Sequence, residues 1–270
     1  MKSFFKVDDV EITDERFFLI AGPCVIEDPG LTREIATEAK KITSELGIPF
    51  IFKASFDKAN RSSIGSARGP GLEKGLPILA GIKEDLCIPV LSDIHEPWQA
   101  AVAAKVLSVI QIPAFLSRQT DLLLAAARTG LPLNIKKSQL MGPADMALAV
   151  KKVIGAGSRS VMLTERGTFF GYNNLVVDFR SIPLMKESGC PVVMDATHSV
   201  QRPSGAGDVS GGDPQFIPLM AAAGIAAGAN GIFLEIHPHP EKALSDGKNS
   251  LPLKDLRPLL IRLQKLYNVA

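Results

Sequence analysis

Short apolar runs of strand length recur along the chain, each followed by polar or helix-patterned sequence. They are Phe17–Pro23, Pro49–Ser55, Pro89–Ile94, Val109–Ala114, Leu133–Ser138, Ser160–Glu165, Pro191–Ala196 and Gly231–His237. They read as continuous apolar stretches rather than strict alternations, as parallel strands covered on both faces do. Between them lie helical patterns. Leu31–Leu46 opens after Asp28-Pro29-Gly30 and closes at Gly47. Thr120–Arg128 closes at Gly130, with Pro132 beyond. Ala144–Ile154 closes at Gly155, and Asp255–Leu266 supplies a last amphipathic helix. These are the expected start and stop signals.

Eight strands alternating with helices over 270 residues predict an α/β fold, a (β/α)8 TIM barrel forming one catalytic domain over residues 1–270. A doubly wound open sheet is the rival. It needs a Gly-rich phosphate turn after the first strand, and Gly22-Pro23-Cys24 is not that pattern. Lys6–Ile12 is expected to form a small extra strand or hairpin sealing the barrel bottom. No linker or charge block divides the chain.

Composition narrows the function classes. Lys plus Arg is 30 and Asp plus Glu is 28, a net charge of +2, so no long-range attraction to nucleic acid or an anionic membrane is indicated. The apolar stretch 216–231 is too short and too interrupted to span a bilayer. The N-terminus turns acidic where a signal peptide needs its apolar core. Three scattered cysteines make no disulfide framework. The expectation is a cytoplasmic protein in a reducing compartment, with Cys87 and Cys190 as inert buried residues.

In such a barrel the active site lies at the C-terminal ends of the strands, and the chemically capable residues fall there. Cys24 follows the first run. Lys53 and Ser55 end the second, with Asp57, Lys58, Asn60, Arg61 and Ser62 after it. Asp93, His95 and Glu96 end the third, Gln111 lies in the fourth with Arg118 beyond, and Lys136 and Lys137 end the fifth. Glu165 and Arg166 end the sixth, Asp195 and His198 the seventh, and Glu235, His237 and His239 the eighth, with Asp246 following. Strand beginnings supply mostly Pro, Gly, Leu and Val. That asymmetry speaks for an enzyme.

Two chemical sets separate. Lys53, Lys58, Arg61, Lys136, Arg166 and Arg118 are cations that would repel one another at one mouth unless anions neutralised them; phosphate and carboxylate fit. Cys24, His198, Glu235 and Asp246 offer a thiolate, an imidazole and two carboxylates, a donor set for Zn²⁺, Fe²⁺, Mn²⁺ or Co²⁺. A closed barrel makes the first, seventh and eighth strands neighbours, so these distant residues can share an ion. His237 and His239 are further candidate ligands.

Longer motifs carry a resemblance. IAGPCVIE (20–27), FKASFDKANRSS (52–63), SDIHE (92–96), IQIPAFLSRQTDLLLAA (110–126), NIKKSQ (134–139), TERGTFFGYNNLVVDFRSIP (164–183), DATHSVQRP (195–203) and EIHPHPEKALSDG (235–247) occur in that order. Together the sequence resembles the 3-deoxy-D-manno-octulosonate 8-phosphate synthases. The related 3-deoxy-D-arabino-heptulosonate 7-phosphate synthases share the barrel and metal set but differ in KANRSS and FGYNNLVVDFRS. The resemblance implies condensation of phosphoenolpyruvate with D-arabinose 5-phosphate, a homotetramer, and a place in lipopolysaccharide synthesis. One class of the family holds a divalent metal with Cys, His, Glu and Asp; the other carries Asn at the Cys position and needs none. Cys24, His198, Glu235 and Asp246 align the chain with the metal-dependent class.

By motif position, the resemblance assigns phosphoenolpyruvate to Lys58, Gln111, Lys136 and Arg166. It assigns arabinose 5-phosphate to Asn60, Arg61 and Ser62, with Lys53 and Asp93 near the sugar hydroxyls or the metal. Arg118 would reach a neighbouring subunit's sugar phosphate. Lys136 is a candidate proton donor, and with Lys137 it is also the residue a rival Schiff-base aldolase would use. A synthase for another aldose phosphate and a non-catalytic phospho-ligand binder are the other rivals. Gly205-Ala206-Gly207, Gly211-Gly212 and 245–250 are candidate closing loops.

Overall fold

The computed structural model describes residues 3–61, 63–206 and 209–269. Eight parallel strands form the barrel: β1 (Phe18–Gly22), β2 (Phe50–Lys53), β3 (Val90–Asp93), β4 (Val109–Ile112), β5 (Leu133–Lys136), β6 (Val161–Glu165), β7 (Val192–Asp195) and β8 (Gly231–His237). Neighbours in sequence pair in parallel, and β8 closes the ring on β1 in a register running from Gly231↔Phe18 to Glu235↔Gly22. The (β/α)8 expectation holds, with strands inside the eight predicted runs.

The helices are α1 (Pro29–Leu46), α2 (Leu72–Leu86), α3 (Pro97–Ala103), α4 (Thr120–Ala127), α5 (Met146–Gly155), α6 (Ser181–Lys186), α7 (Ile217–Ala226) and α8 (Leu256–Tyr267). The α1 start signal works as read: the Asp28 carboxylate accepts the Leu31 N–H at 3.0 Å, and Gly47 ends the helix with φ 66°. Patterning alone did not single out α2, α3, α6 or α7. Pro77 lies inside α2 and Gly75 near its start, but burial of Leu76, Leu79 and Ile82 on one face outweighs the low local propensity. Gly75 is needed there, since a Cβ would sit 2.4 Å from Phe56 Cβ.

Two apolar clusters explain the continuous runs. Outward strand residues such as Leu19, Phe52, Ile110, Ile135, Leu163 and Leu234 pack against the helices. Inward residues Phe18, Ile20, Ile51, Leu91, Val109, Met162, Val193 and Phe233 fill the barrel. The hairpin Ser3–Val7 with Val10–Thr13 adds Val7 and Ile12 to that inner cluster, the plug expected from the N-terminus. Strand side chains alternate faces, so the next inward positions toward the C-terminal ends are Gly22, Lys53, Asp93, Gln111, Asn134 with Lys136, Thr164, Asp195 and Glu235. Seven of the eight strands therefore switch from apolar to small or polar within the barrel, and β5 is polar at both its inward positions, Asn134 and Lys136.

Cys190 is buried, but Cys87 is exposed, against the expectation that both are inert core residues. Cys87 lies beyond the last buried position of α2 and takes the left-handed conformation (φ 47°) that ends the helix.

A Cβ on Gly22 would stand 1.9 Å from the Lys53 carbonyl oxygen, and backbone on β2 has no room to yield. Gly22→Ala is expected to destabilise the protein by about 1–3 kcal/mol, read as a lowered midpoint of thermal unfolding; an unchanged midpoint would contradict this packing.

Candidate active site and metal centre

The polar inner residues open into a cavity of about 790 Å³ at the C-terminal ends of the strands. Its wall includes Lys53, Lys58, Asn60, Arg61, Asp93, Gln111, Lys136, Arg166, His198, Glu235 and Asp246. Of the residues singled out from sequence, Cys24 lies just beneath this wall, almost fully buried. Arg118 is exposed and lines a separate surface cavity with Leu140, Asp145 and Lys152, so this chain does not bring it to the site. Ser62 and Gly207 lie outside the described residues. Gly205 and Ala206 belong to a hairpin, Gln201–Ala206 paired with Val209–Gly212, and the 245–250 segment is tied to it by Asn249, whose amide donates to the Gly211 carbonyl at 3.3 Å.

Strand register decides between the adjacent lysines. Lys136 points inward; its ammonium donates to Asp195 Oδ2 at 2.5 Å and lies 4.3 Å from the Phe233 ring centroid. Lys137 points away from the cavity, and its ammonium binds Thr168 Oγ1 at 2.9 Å and the Gly167 carbonyl at 3.2 Å. Burial lowers the Lys136 pKa from its ordinary value, and Arg166 adds to this, while Asp195 works against the change. For Asp195, burial alone would raise the pKa, but His198 and Lys136 outweigh it and hold the carboxyl well below its usual range.

Buried charges in this layer are paired. Lys53 donates to Glu235 Oε1 at 3.1 Å and to the Cys24 carbonyl at 2.7 Å. Asp93 accepts from Ser55 and lies 3.1 Å from His95 Nε2. Gln111 is oriented by a buried relay: Thr164 Oγ1 donates to Asn134, whose amide donates to Gln111 Oε1 at 2.9 Å. Arg61 leaves the rim toward the β8 loop, donating to Ser245 Oγ at 2.7 Å and to the Leu244 carbonyl at 3.2 Å.

Cys24, Glu235 and Asp246 offer donor atoms that all lie within 4.8 Å of one another. His198 stands outside that mutual set but adjoins it, with Nε2 3.4 Å from Glu235 Oε1. Its Nδ1 is 2.7 Å from Asp195 Oδ2, so the carboxylate fixes the Nδ1–H tautomer and leaves Nε2 as the ligand atom. The Cys24 thiol lies 3.0 Å from Asp246 Oδ2. Burial, then Asp246 and Glu235, push its pKa well up. Burial would also raise the Asp246 pKa, but Lys58 and His198 bring it down to about 2. Glu235 Oε2 is buried and has no hydrogen-bond partner. An anionic oxygen left so is costly unless something positive meets it, and a thiol, an imidazole and two carboxylates suit a divalent ion. The donor set therefore fits a metal. His237 and His239 are not in it: His237 Nδ1 accepts the His239 N–H at 3.0 Å, and His239 Nδ1 lies 3.6 Å from Glu241.

Sequence reasoning did not single out Gln201, Ser245 or Gln139, which also line the cavity. Ser245 and Gln139 sit in sequence with no catalytic signature; Gln201 had one signal, its place three residues after His198.

Fold and site define a (β/α)8-barrel enzyme with an anion-receiving mouth beside a candidate metal centre. The family model described as the DAHP synthetase I family matches residues 6–269, and the chain belongs to that family. The chain is 58% identical over 248 residues to the 2-dehydro-3-deoxyphosphooctonate aldolase of Desulfotalea psychrophila, covering 92% of this chain and 89% of the relative. It is 56% identical over 253 residues to that of Desulfosudis oleivorans, with 93% and 91% covered. It is 51% identical over 265 residues to that of Syntrophobacter fumaroxidans, with 98% and 92% covered.

Removing one member of a buried ion pair strands the other. In chelator-treated protein, Lys53→Met is expected to cost about 3–5 kcal/mol of unfolding free energy, and Lys53→Met/Glu235→Gln should regain part of it. Equal losses in denaturant titrations of both variants would show that the pair is not the cause.

Proposed function

We propose that the protein joins phosphoenolpyruvate to D-arabinose 5-phosphate, with water, to give 3-deoxy-D-manno-octulosonate 8-phosphate and inorganic phosphate, the activity of its aldolase-named relatives. The observation that carries this reading is the cavity, lined by Lys58, Arg61, Lys136 and Arg166, in a chain with family membership over nearly its whole length. Both reactants are polyanions, and a cluster of cations is what receives them. The setting is cytoplasmic lipopolysaccharide synthesis; among the described residues no helix is long and apolar enough to cross a membrane.

Phosphoenolpyruvate takes Lys58, Gln111, Lys136 and Arg166, and the sugar phosphate takes Asn60 and Arg61 in the cavity, with Ser62 assigned by its place in the motif alone. Lys53 and Asp93 lie between, near the sugar hydroxyls. C3 of phosphoenolpyruvate forms the new bond to the aldehyde carbon, whose oxygen becomes a hydroxyl. Water oxygen bonds to C2 and gives up its proton, and the C2–O bond to phosphate breaks. Lys136 is set to deliver the proton the aldehyde oxygen needs: its ammonium is held by Asp195, and burial weakens its grip on the proton. Cys24, His198, Glu235 and Asp246 would hold a divalent ion, Zn²⁺, Fe²⁺, Mn²⁺ or Co²⁺. When bound, such an ion supplies Lewis acidity for the aldehyde oxygen or for orienting water. Exclusion of bulk water by the loops over the cavity would strengthen the charge pairing. The exposed Arg118 suits a homotetramer in which it serves a neighbouring subunit's sugar phosphate.

Phosphate release from phosphoenolpyruvate should occur with arabinose 5-phosphate and not with erythrose 4-phosphate. It should stop on chelation, return on adding metal, and be mostly lost in Cys24→Ala. Preference for erythrose 4-phosphate would make the protein a synthase of the seven-carbon product, and full activity after metal stripping would remove the metal from the reading.

Arg61→Ala should raise KM for arabinose 5-phosphate by about tenfold or more, the loss of a charge-assisted contact. KM for phosphoenolpyruvate should stay within about twofold on the same reasoning. Equal changes in both would contradict the assignment of Arg61 to the sugar phosphate.

A further inference from the structure

Gln201 is the first residue of the hairpin that follows His198, and it lines the cavity. Its amide is bonded at both ends. Oε1 accepts from Arg166 Nη2 at 3.2 Å, and Nε2 donates to Asp246 Oδ1 at 3.0 Å. A guanidinium only donates and a carboxylate only accepts, so the amide cannot turn over without breaking both bonds. The surroundings sharpen the point. Arg166 Nη1 is buried and has no protein partner, while Asp246 Oδ2 faces the Cys24 sulfur at 3.0 Å.

We propose that Gln201 is a positioning residue, a neutral spacer that keeps Arg166 and Asp246 from forming a direct ion pair. Arginine and aspartate brought to one wall favour a bidentate fork. That fork would occupy the guanidinium edge the substrate anion needs and draw the carboxylate off the thiol side of the metal centre. The amide gives each charge one hydrogen bond while cancelling neither. Arg166 thus keeps its charge for phosphoenolpyruvate, and Asp246 keeps its outer oxygen toward Cys24. Gln201→Glu defeats the device by supplying a second anion beside Asp246, and Gln201→Met removes it by leaving the two charges free to meet. The inference rests on the functional reading above for the roles of Arg166 and Asp246.

The test uses Co²⁺ added to metal-stripped protein, because thiolate-to-cobalt charge-transfer absorption reports ligation by Cys24 directly. Gln201→Met is expected to weaken Co²⁺ by about tenfold or more, the usual scale for a residue that orients a metal ligand. It should also raise KM for phosphoenolpyruvate by a similar factor and leave KM for arabinose 5-phosphate within about twofold. The diagnostic result is a rescue: Arg166→Ala introduced into Gln201→Met should restore Co²⁺ affinity, because the competing cation is gone. If Gln201→Met binds Co²⁺ as the wild type does, or if its loss is the same with and without Arg166, the spacer role is overturned. If the wild-type protein itself gives no charge-transfer band, the metal reading fails and takes the spacer with it.

Discussion

The parallel pairing of β8 with β1 is the constraint on which the site depends. Five residue pairs, from Gly231↔Phe18 to Glu235↔Gly22, hold the ends of the barrel together. They set Glu235 beside the turn that carries Cys24, residues that no local sequence pattern connects. The same closure lets Lys53 of β2 reach both the Glu235 carboxylate and the Cys24 carbonyl. Without it the thiol, the carboxylates and the imidazole are four separate side chains. An ion held by them would add its binding free energy to the closed fold by simple linkage.

The second organising fact is the switch of inward residues from apolar to polar within most of the strands. Ile51 gives way to Lys53, Leu91 to Asp93, Val109 to Gln111, Val193 to Asp195 and Phe233 to Glu235, all of them buried. Charges so placed are tolerated because they are paired across strands, as Lys136 is with Asp195 and Lys53 with Glu235. The pairing is incomplete at the rim. Arg61 Nε, His95 Nδ1, Gln139 Oε1, Arg166 Nη1 and Glu235 Oε2 are buried without a partner, and all five residues line the cavity. Elsewhere such atoms are scattered, as at Ser158 and Ser181. The unpartnered Arg61 and Arg166 nitrogens are donors suited to an anion, whereas the Gln139 and Glu235 oxygens are acceptors suited to a donor or a cation.

Much of this was legible in the sequence because a parallel barrel writes itself locally. Eight apolar runs gave the strands, and the reactive residues at their ends gave the face that carries chemistry. Three things were not local. Lys136 and Lys137 are neighbours in NIKKSQ, and only the two-residue period of a formed strand turns one into the cavity and the other away from it. The helices α2 and α7 contain proline and glycine that weaken the pattern, and they exist because strand and helix faces bury them. Cys87 is exposed as the left-handed residue that itself ends α2, a conformation that composition does not announce.

Gln201 illustrates a further limit. Glutamine carries no charge and matches no catalytic pattern, so sequence reading passes over it in favour of the charges it separates. Its significance depends on two contacts of opposite polarity, one to Arg166 and one to Asp246, across loops that follow different strands. A site rich in opposite charges must prevent its own members from satisfying one another, since every internal fork formed is binding strength removed from the substrate. Hydrophobic spacers would leave both charges under-solvated. An amide meets each with a hydrogen bond and neutralises neither, and the geometry around Asp246 is arranged on that principle.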